Sequence, residues 1–117
     1  MNLTPIKNVA EDIKSIKIQG ATNIAKAGII IIAKEIKKQK FSSSKEFDTF
    51  IKQAIVLIKT ARPTEPMLFN GLKYCLNSYK DALAKKYDLK KIQETLFKTC
   101  TSYVQDIERE EAIRPLI

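Results

Sequence analysis

Apolar residues recur at steps of three and four along most of this chain, which is the spacing of one face of an α-helix. The first such stretch opens with Thr4, suited to an N-cap, and Pro5, suited to the first helical position. It breaks near Gly20, where we expect a bend between two helices. The second stretch runs from about 21 to 39. Its four consecutive isoleucines, 29–32, would also suit a buried strand, but the flanking residues are good helix formers and favour a helix.

Three further helices are predicted in the rest of the chain. Residues 43–46 have the Ser-x-x-Glu spacing of a capping box, which marks the start of a third helix. That helix should end before Pro63, because the residue before a proline avoids helical geometry. Thr64 can cap a fourth helix and Asp88 a fifth, which Pro115 ends. The apolar positions of the five stretches are, in order, Ile6, Val9, Ala10, Ile13 and Ile16; Ile24, Ala27, Gly28, Ile31, Ile32 and Ile36; Phe47, Phe50, Ile51, Ala54, Ile55 and Ile58; Leu68, Leu72, Cys75, Leu76 and Tyr79; and Leu89, Ile92, Leu96, Cys100, Tyr103 and Ile107.

These elements predict an all-α fold, a compact bundle of about five helices with a long C-terminal helix. The pattern contains no alternating strand, internal repeat or linker to a second domain. The 117 residues, 44% apolar and 29% charged, suffice for one core of modest size. We therefore expect residues 1–117 to form a single helical domain.

The composition excludes several kinds of chemistry. The chain has no histidine, which removes histidine-based acid–base catalysis, nucleophile activation by histidine and most zinc sites. Cys75 and Cys100 lie on predicted apolar stripes and are expected to be buried thiols rather than nucleophiles. We thus expect no catalytic residue, metal or cofactor. The most apolar run, 27–33, is too short to span a bilayer, and the N-terminus does not resemble a secretory signal, so a cytoplasmic protein is predicted.

Positive charge is the other distinctive feature of the composition. The net charge is +8, and lysines form two local clusters along the chain. They mostly alternate with apolar residues, as on a solvated helix face, and the chain has no RNP-like aromatic motif or glycine-rich phosphate loop. Nucleic acid is therefore not the expected partner, and a basic surface for RNA stays a third hypothesis. The two clusters are Lys34, Lys37, Lys38 and Lys40, and Lys85, Lys86, Lys90 and Lys91.

Arg62 is distinctive because arginine is rare in this chain and because of its position in a loop. The chain has three arginines against eighteen lysines, and Arg62 stands in a proline-flanked loop just ahead of a predicted helix. A helix N-terminus attracts anions, and a planar guanidinium binds phosphate through two hydrogen bonds. The alternative is a loop arginine that donates hydrogen bonds to backbone carbonyls. The residues alone leave both interpretations open.

Two stretches of the chain resemble one protein family. The segment IKSIKIQGATNIAKAG (13–28) resembles the opening of the family that contains the alpha, beta and delta regulatory subunits of eukaryotic translation initiation factor 2B. The segment TARPTEPMLFNGLKY (60–74) is similar to that family's T-R-P-T…N-A-[LV]-R-Y segment. Archaeal relatives include ribose 1,5-bisphosphate isomerase and, more distantly, methylthioribose 1-phosphate isomerase. The resemblance covers nearly all of this chain but only the N-terminal helical domain of the family.

The resemblance implies a five-helix domain that leans on a Rossmann-like C-terminal domain, which residues 1–117 do not include. In the isomerases, an R-G-A-G turn and the arginine of T-R-P-T reach a sugar phosphate between the two domains. Carried over, the ligand-binding residues are Gly20, Ala21, Thr22 and Arg62. Gln19 stands where the isomerases have arginine, which removes a charged phosphate contact. The family's catalytic cysteine and aspartate belong to the C-terminal domain, so this chain alone is not expected to be an enzyme.

Two functions follow from the resemblance. The leading hypothesis is a helical interaction module of an archaeal initiation factor 2B-related protein, which docks onto a Rossmann-like domain or partner subunit. The alternative is the lid over the substrate pocket of a ribose 1,5-bisphosphate isomerase-like enzyme, with a phosphosugar or nucleotide as ligand. The C-terminal end of the last helix, with Ile113, Leu116 and Ile117, is also expected to be exposed, so that this helix supports a homo-oligomer.

Overall fold

The computed structural model describes residues 1–113, which form five α-helices. The helices are α1 (Thr4–Lys14), α2 (Ala21–Lys38), α3 (Ser44–Ala61), α4 (Pro66–Ala84) and α5 (Leu89–Ile113). The described part contains no strand, and α5 is the longest helix with 25 residues. The predicted all-α class, the number of helices and the long last helix are confirmed.

The helices alternate in direction, and α2 lies at the centre of the bundle. It packs against all four other helices, while α1 packs on α3 and α4 packs on α5. Because other helices surround α2, more of its surface is buried than the predicted apolar stripe. Ala25, Ile29 and Ala33 are fully buried, although the pattern did not select them, whereas Ala27 and Ile31 are only half-buried. The helical interpretation of the four isoleucines is confirmed.

Two glycines let the central helices approach closely. A Cβ built on Gly28 would lie 2.8 Å from side-chain carbons of both Ile58 and Leu68. The missing side chain therefore lets α3 and α4 pack closely on α2 at this position. A Cβ on Gly71 would lie 2.6 Å from the ring of Tyr103, where α4 meets α5. Side chains at these positions would force the neighbouring helices apart. Each glycine belongs to one of the two segments that carry the family resemblance, and each has a packing role.

Two predicted helix starts are confirmed by their hydrogen bonds. Asp88 Oδ1 accepts from the Lys91 N–H at 2.8 Å, as an N-cap should. Ser43 Oγ accepts from the Glu46 N–H at 3.1 Å, which is one half of the predicted capping box. The other half is shifted by one residue, because the Glu46 carboxylate accepts from the N–H of Ser42 at 3.2 Å instead of from that of Ser43.

Two other predicted caps are wrong. The residue at the N-cap of α1 is Leu3, and Thr4 already lies in the helix; its N–H donates to Asn2 Oδ1 at 3.0 Å. The N-cap of α4 is Glu65, one residue after Thr64, and its side chain makes no capping bond. The reason at α4 is a tight turn, in which the Glu65 N–H donates to the Arg62 carbonyl at 3.3 Å and uses Thr64 as a turn residue.

The first helix also ends earlier than its apolar pattern predicts. It stops at Lys14, and Ile16 has a φ of +68° and is 56% exposed instead of continuing the buried stripe. The backbone turns back on itself here, with the Ile18 N–H donating to the Asp12 carbonyl at 3.1 Å. This turn sends the chain into α2 at Ala21.

Candidate functional site

Both segments that carry the family resemblance lie at one end of the bundle. The helix directions place the α1–α2 connection, the α3–α4 connection and the end of α5 together. Two contacts tie α5 to this end: the Lys26 Nζ–Glu111 Oε1 ion pair at 2.7 Å, and the Tyr103 hydroxyl donating to the Met67 carbonyl at 2.8 Å. We call residues 15–22, 61–66 and 108–113 the motif end.

Gly20 makes the entry into α2 possible. Its φ is +89°, in the region that glycine tolerates best, and it is the N-cap of the helix. The connection before it is held by two side-chain amides: Gln19 Nε2 donates to the Ile16 carbonyl and Asn23 Nδ2 donates to the Gln19 carbonyl, both at 3.1 Å. Gln19 therefore has a role within the fold.

The start of α2 presents backbone N–H groups. Gly20 and Ala21 are exposed, Thr22 is half-buried, and no side chain caps this helix. The first N–H groups of a helix have no acceptor within it, and together with the helix dipole they favour an anion. Residues Gly20, Ala21 and Thr22 thus form a surface that is chemically suited to a phosphate.

Arg62 is half-buried and connects the two segments. Its Nη2 donates to the carbonyl of Ile13 at 3.1 Å, at the C-terminal end of α1. This is the carbonyl-binding arrangement that the sequence left open beside phosphate binding. Within residues 1–113, no hydrogen bond joins Arg62 to Gly20, Ala21 or Thr22, and its hydrogen bond to the first segment goes to Ile13. A guanidinium has five N–H donors, so this bond does not exhaust its capacity to bind an anion.

Ile16 is a residue of this end that the sequence did not single out. A β-branched residue at positive φ is unfavourable by about 1–2 kcal/mol, and this one also exposes an apolar side chain. Its carbonyl accepts the Gln19 side chain, which stabilises the turn. Strain of this kind concentrates where function constrains the backbone, but nothing in the spacing of apolar residues signals it.

The two lysine clusters meet at the opposite end of the molecule. Gln93 Nε2 donates to the Ile36 carbonyl at 3.0 Å and joins the start of α5 to the last turns of α2. A groove of about 250 Å³ there is lined by Lys37 from one cluster and Lys90 from the other, with Phe97 beneath Lys37 at 4.8 Å. We call the eight clustered lysines the basic end. The sequence showed two separate clusters, and only the fold brings them together.

The remaining sites expected from the sequence concern cysteines, metals and membranes. Cys75 and Cys100 are buried, as predicted, and their sulfur atoms also touch each other. No group of three or more His, Cys, Asp or Glu residues able to hold a metal occurs in the described part of the chain. Of the helices within residues 1–113, none combines the length and apolar character needed to cross a membrane. At the end of α5, Ile113 is 79% exposed as expected, while Leu116 and Ile117 lie outside the described residues.

Comparison with known proteins identifies the family. The model of the Initiation factor 2 subunit family matches residues 17–114, which include the whole 60–74 segment and residues 17–28 of the first segment. The chain belongs to this family. The resemblance inferred from the two segments is thereby confirmed.

The curated relatives of this initiation factor 2 family chain are two kinds of isomerase. It is 27% identical over 104 residues to the ribose 1,5-bisphosphate isomerase of Thermococcus kodakarensis, covering 89% of this chain and 32% of that protein. It is 28% identical over 109 residues to the Pyrococcus furiosus protein of the same name, covering 93% and 34%. A methylthioribose-1-phosphate isomerase of Trichoplax adhaerens is 35% identical over 68 residues, covering 58% and 19%. The chain therefore spans a fifth to a third of the length of these relatives.

Proposed function

We propose that this chain is the N-terminal helical domain of an archaeal initiation factor 2B-related protein, located in the cytoplasm, and that it docks through its motif end onto a Rossmann-like domain or partner subunit. It has no chemistry of its own in this proposal. The support from the comparisons is that the chain matches only about a third of two ribose 1,5-bisphosphate isomerases. The remaining two thirds of those proteins leave room for the second domain.

The observation that carries the proposal is the convergence at the motif end. Both family segments lie there beside the last turn of α5, whose Ile113 is 79% exposed. The strained turn adds a second exposed isoleucine, Ile16, at the same end. A partner docked there would cover apolar side chains that the isolated chain leaves in water. It would also enclose the N-terminus of α2.

The alternative function is the lid of a sugar-phosphate pocket. It is favoured by the uncapped N–H groups at Gly20, Ala21 and Thr22, and by the phosphate-binding capacity of Arg62. One observation argues for the docking role first. Gln19 offers only a neutral amide, and that amide already donates to the Ile16 carbonyl. A phosphosugar or nucleotide remains the ligand class that this alternative requires.

A chimera separates the two functions. The chain would replace the matching N-terminal third of the Thermococcus kodakarensis isomerase, and thermal unfolding and ribose 1,5-bisphosphate turnover would both be measured. If the two domains dock, the chimera should unfold in one cooperative transition. The Ile113→Lys chimera should unfold in two transitions, because the charged side chain weakens the docking. Leu83→Lys is the matched control, because Leu83 is 45% exposed near the other end of the bundle. Two independent transitions in the unmodified chimera would contradict docking, and turnover abolished by Arg62→Ala would support the lid.

The isolated chain offers a simpler measurement. An exposed apolar helix end favours weak self-association, so sedimentation should show a mass that rises with protein concentration. The Ile113→Lys variant should remain monomeric, and neither protein should isomerise ribose 1,5-bisphosphate. A strictly monomeric parent at every concentration would mean that the end of α5 needs no cover, and the docking proposal would lose its main support.

A further inference from the structure

Two thiols face each other in the core between α4 and α5. Cys75 lies on α4 and Cys100 on α5, 25 residues further along, and their sulfur atoms are 3.1 Å apart. Cys75 is 3% exposed and Cys100 is fully buried. They are the only cysteines of the sequence. Neither has a role in docking or in binding an anion at the motif end.

Contacts on both sides of the thiols hold the two helices in register. On the side toward the basic end, the hydroxyl groups of Ser78 and Thr99 form a hydrogen bond of 2.8 Å. On the side toward the motif end, the Tyr103 hydroxyl donates to the Met67 carbonyl at 2.8 Å. The sulfur atoms therefore meet because α4 and α5 are fixed relative to each other, and not through a chance side-chain orientation.

The geometry leaves a short path to a covalent bond. A disulfide has a sulfur–sulfur length of about 2.05 Å, so the two atoms need to approach by about 1 Å. Rotation about the two Cα–Cβ bonds is the side-chain motion that changes this separation. Since the chain has no third cysteine, no competing pair can form within it.

We propose that Cys75 and Cys100 form an intramolecular disulfide that links α4 to α5, with a small-molecule disulfide of the glutathione class as the oxidant. Cys75 loses its proton and its thiolate attacks one sulfur of the oxidant, which releases one thiol and leaves a mixed disulfide on Cys75. Cys100 then loses its proton, and its thiolate attacks the Cys75 sulfur and releases the second thiol. The two protein thiols are oxidised, the oxidant is reduced to two thiols, and the two protons lost by the protein are taken up by the released thiolates.

The order of attack follows from burial. Cys75 retains slight exposure, whereas Cys100 has none. The hydrogen bond with Cys75, followed by burial, holds the pKa of the Cys100 thiol well above its usual range. Cys75 is therefore assigned the first attack, because a raised pKa lowers the thiolate fraction of Cys100, and Cys100 completes the bond.

The test equilibrates the thiols so that burial does not limit the reaction. The reduced chain is unfolded in urea, refolded by dilution into buffers of increasing ratio of oxidised to reduced glutathione, and quenched with an alkylating reagent. Intact mass should show a loss of two hydrogens and no alkylation, in a monomer. Relative to the reduced protein, the oxidised form should melt about 10 °C higher, because a cross-link closing a loop of this length constrains the unfolded chain.

Three results would overturn the proposal. They are two alkylated thiols even at the most oxidising ratio, a glutathione adduct that persists on either cysteine, and a disulfide found only in a covalent dimer. The single variants Cys75→Ser and Cys100→Ser provide the contrast, since each should carry one glutathione or one alkyl group. The measurement on the unmodified chain is decisive by itself if either variant fails to fold.

Discussion

Removing the Arg62 guanidinium should loosen the motif end before it affects the rest of the bundle. In Arg62→Ala, the Ile13 carbonyl at the end of α1 loses its side-chain donor, the Arg62 Nη2 at 3.1 Å, and keeps only the Ile16 N–H at 3.3 Å. A hydrogen bond from a charged donor contributes about 1.5–3 kcal/mol, and partial exposure of Arg62 reduces this to about 1–2 kcal/mol. For a domain of this size the melting temperature should fall by about 4–8 °C.

The assay is urea unfolding followed by far-UV circular dichroism, with hydrogen exchange to locate the effect. Exchange should accelerate first at residues 13–18, where α1 turns toward α2. Arg62→Lys keeps the charge but loses the planar fork, so most of the stability loss should remain. Arg109→Ala is the control, because Arg109 is 73% exposed and lies 3.5 Å from Asp106 on the surface. It should change stability by less than about 0.5 kcal/mol.

The reasoning would be refuted if the free energy of unfolding of Arg62→Ala lay within about 0.5 kcal/mol of that of the parent while hydrogen exchange at residues 13–18 stayed unchanged. Arg62 would then be free for a ligand, and the balance would shift from docking to the phosphate-binding lid. A stability loss without any change at 13–18 would instead mean that the arginine acts through its packed aliphatic stem.

Three further predictions test other parts of the molecule. Ile16→Asn should stabilise the chain by about 1 kcal/mol in urea unfolding, because asparagine tolerates the positive φ; a loss of stability would mean that the Ile16 side chain has contacts worth more than the strain. Tyr79→Phe removes the hydroxyl that donates to Asp48 at 2.7 Å and should cost about 1–2 kcal/mol. That hydrogen bond, followed by the one from Lys52, lowers the pKa of Asp48 below its ordinary 3.8. The stability lost in Tyr79→Phe should therefore be full above about pH 4 and should shrink as the pH falls through the folded-state pKa of Asp48. A stability difference that does not change with pH would contradict this. Fluorescence anisotropy at the basic end should show RNA binding that is weak and lost by about 200 mM salt, whereas tight sequence-selective binding at that salt would promote nucleic acid to a partner.

The helices were predictable because each buries a stripe with helical spacing. Asp88 and Ser43 were predictable as caps because they act on neighbours within their own turn. The prediction that Thr64 caps α4 was wrong because the turn between α3 and α4 displaces the helix start by one residue. The prediction that Ile16 continues the buried stripe of α1 was wrong because the end of this helix depends on a reversal of the backbone, which the apolar pattern does not indicate.

The candidate site was predictable only through the family resemblance. Its residues, Gly20, Ala21, Thr22 and Arg62, follow from two segments that are separated in the sequence by more than thirty residues. The bond between Arg62 and Ile13 was one of two alternatives that chemistry allowed. Finding the carbonyl partner required the positions of both helix ends, and phosphate binding by Arg62 stays a prediction.

The sequence by itself determined the all-α class, the number of helices and the family, because these depend on local spacing and on short segments of particular residues. Tertiary structure decided which segments share an end of the bundle. Alternating helix directions gather the two family segments beside Ile113 and bring the two lysine clusters together at the other end. It also decided that Cys75 and Cys100 touch, since two buried thiols on different helices meet only when the register between those helices is set by contacts elsewhere.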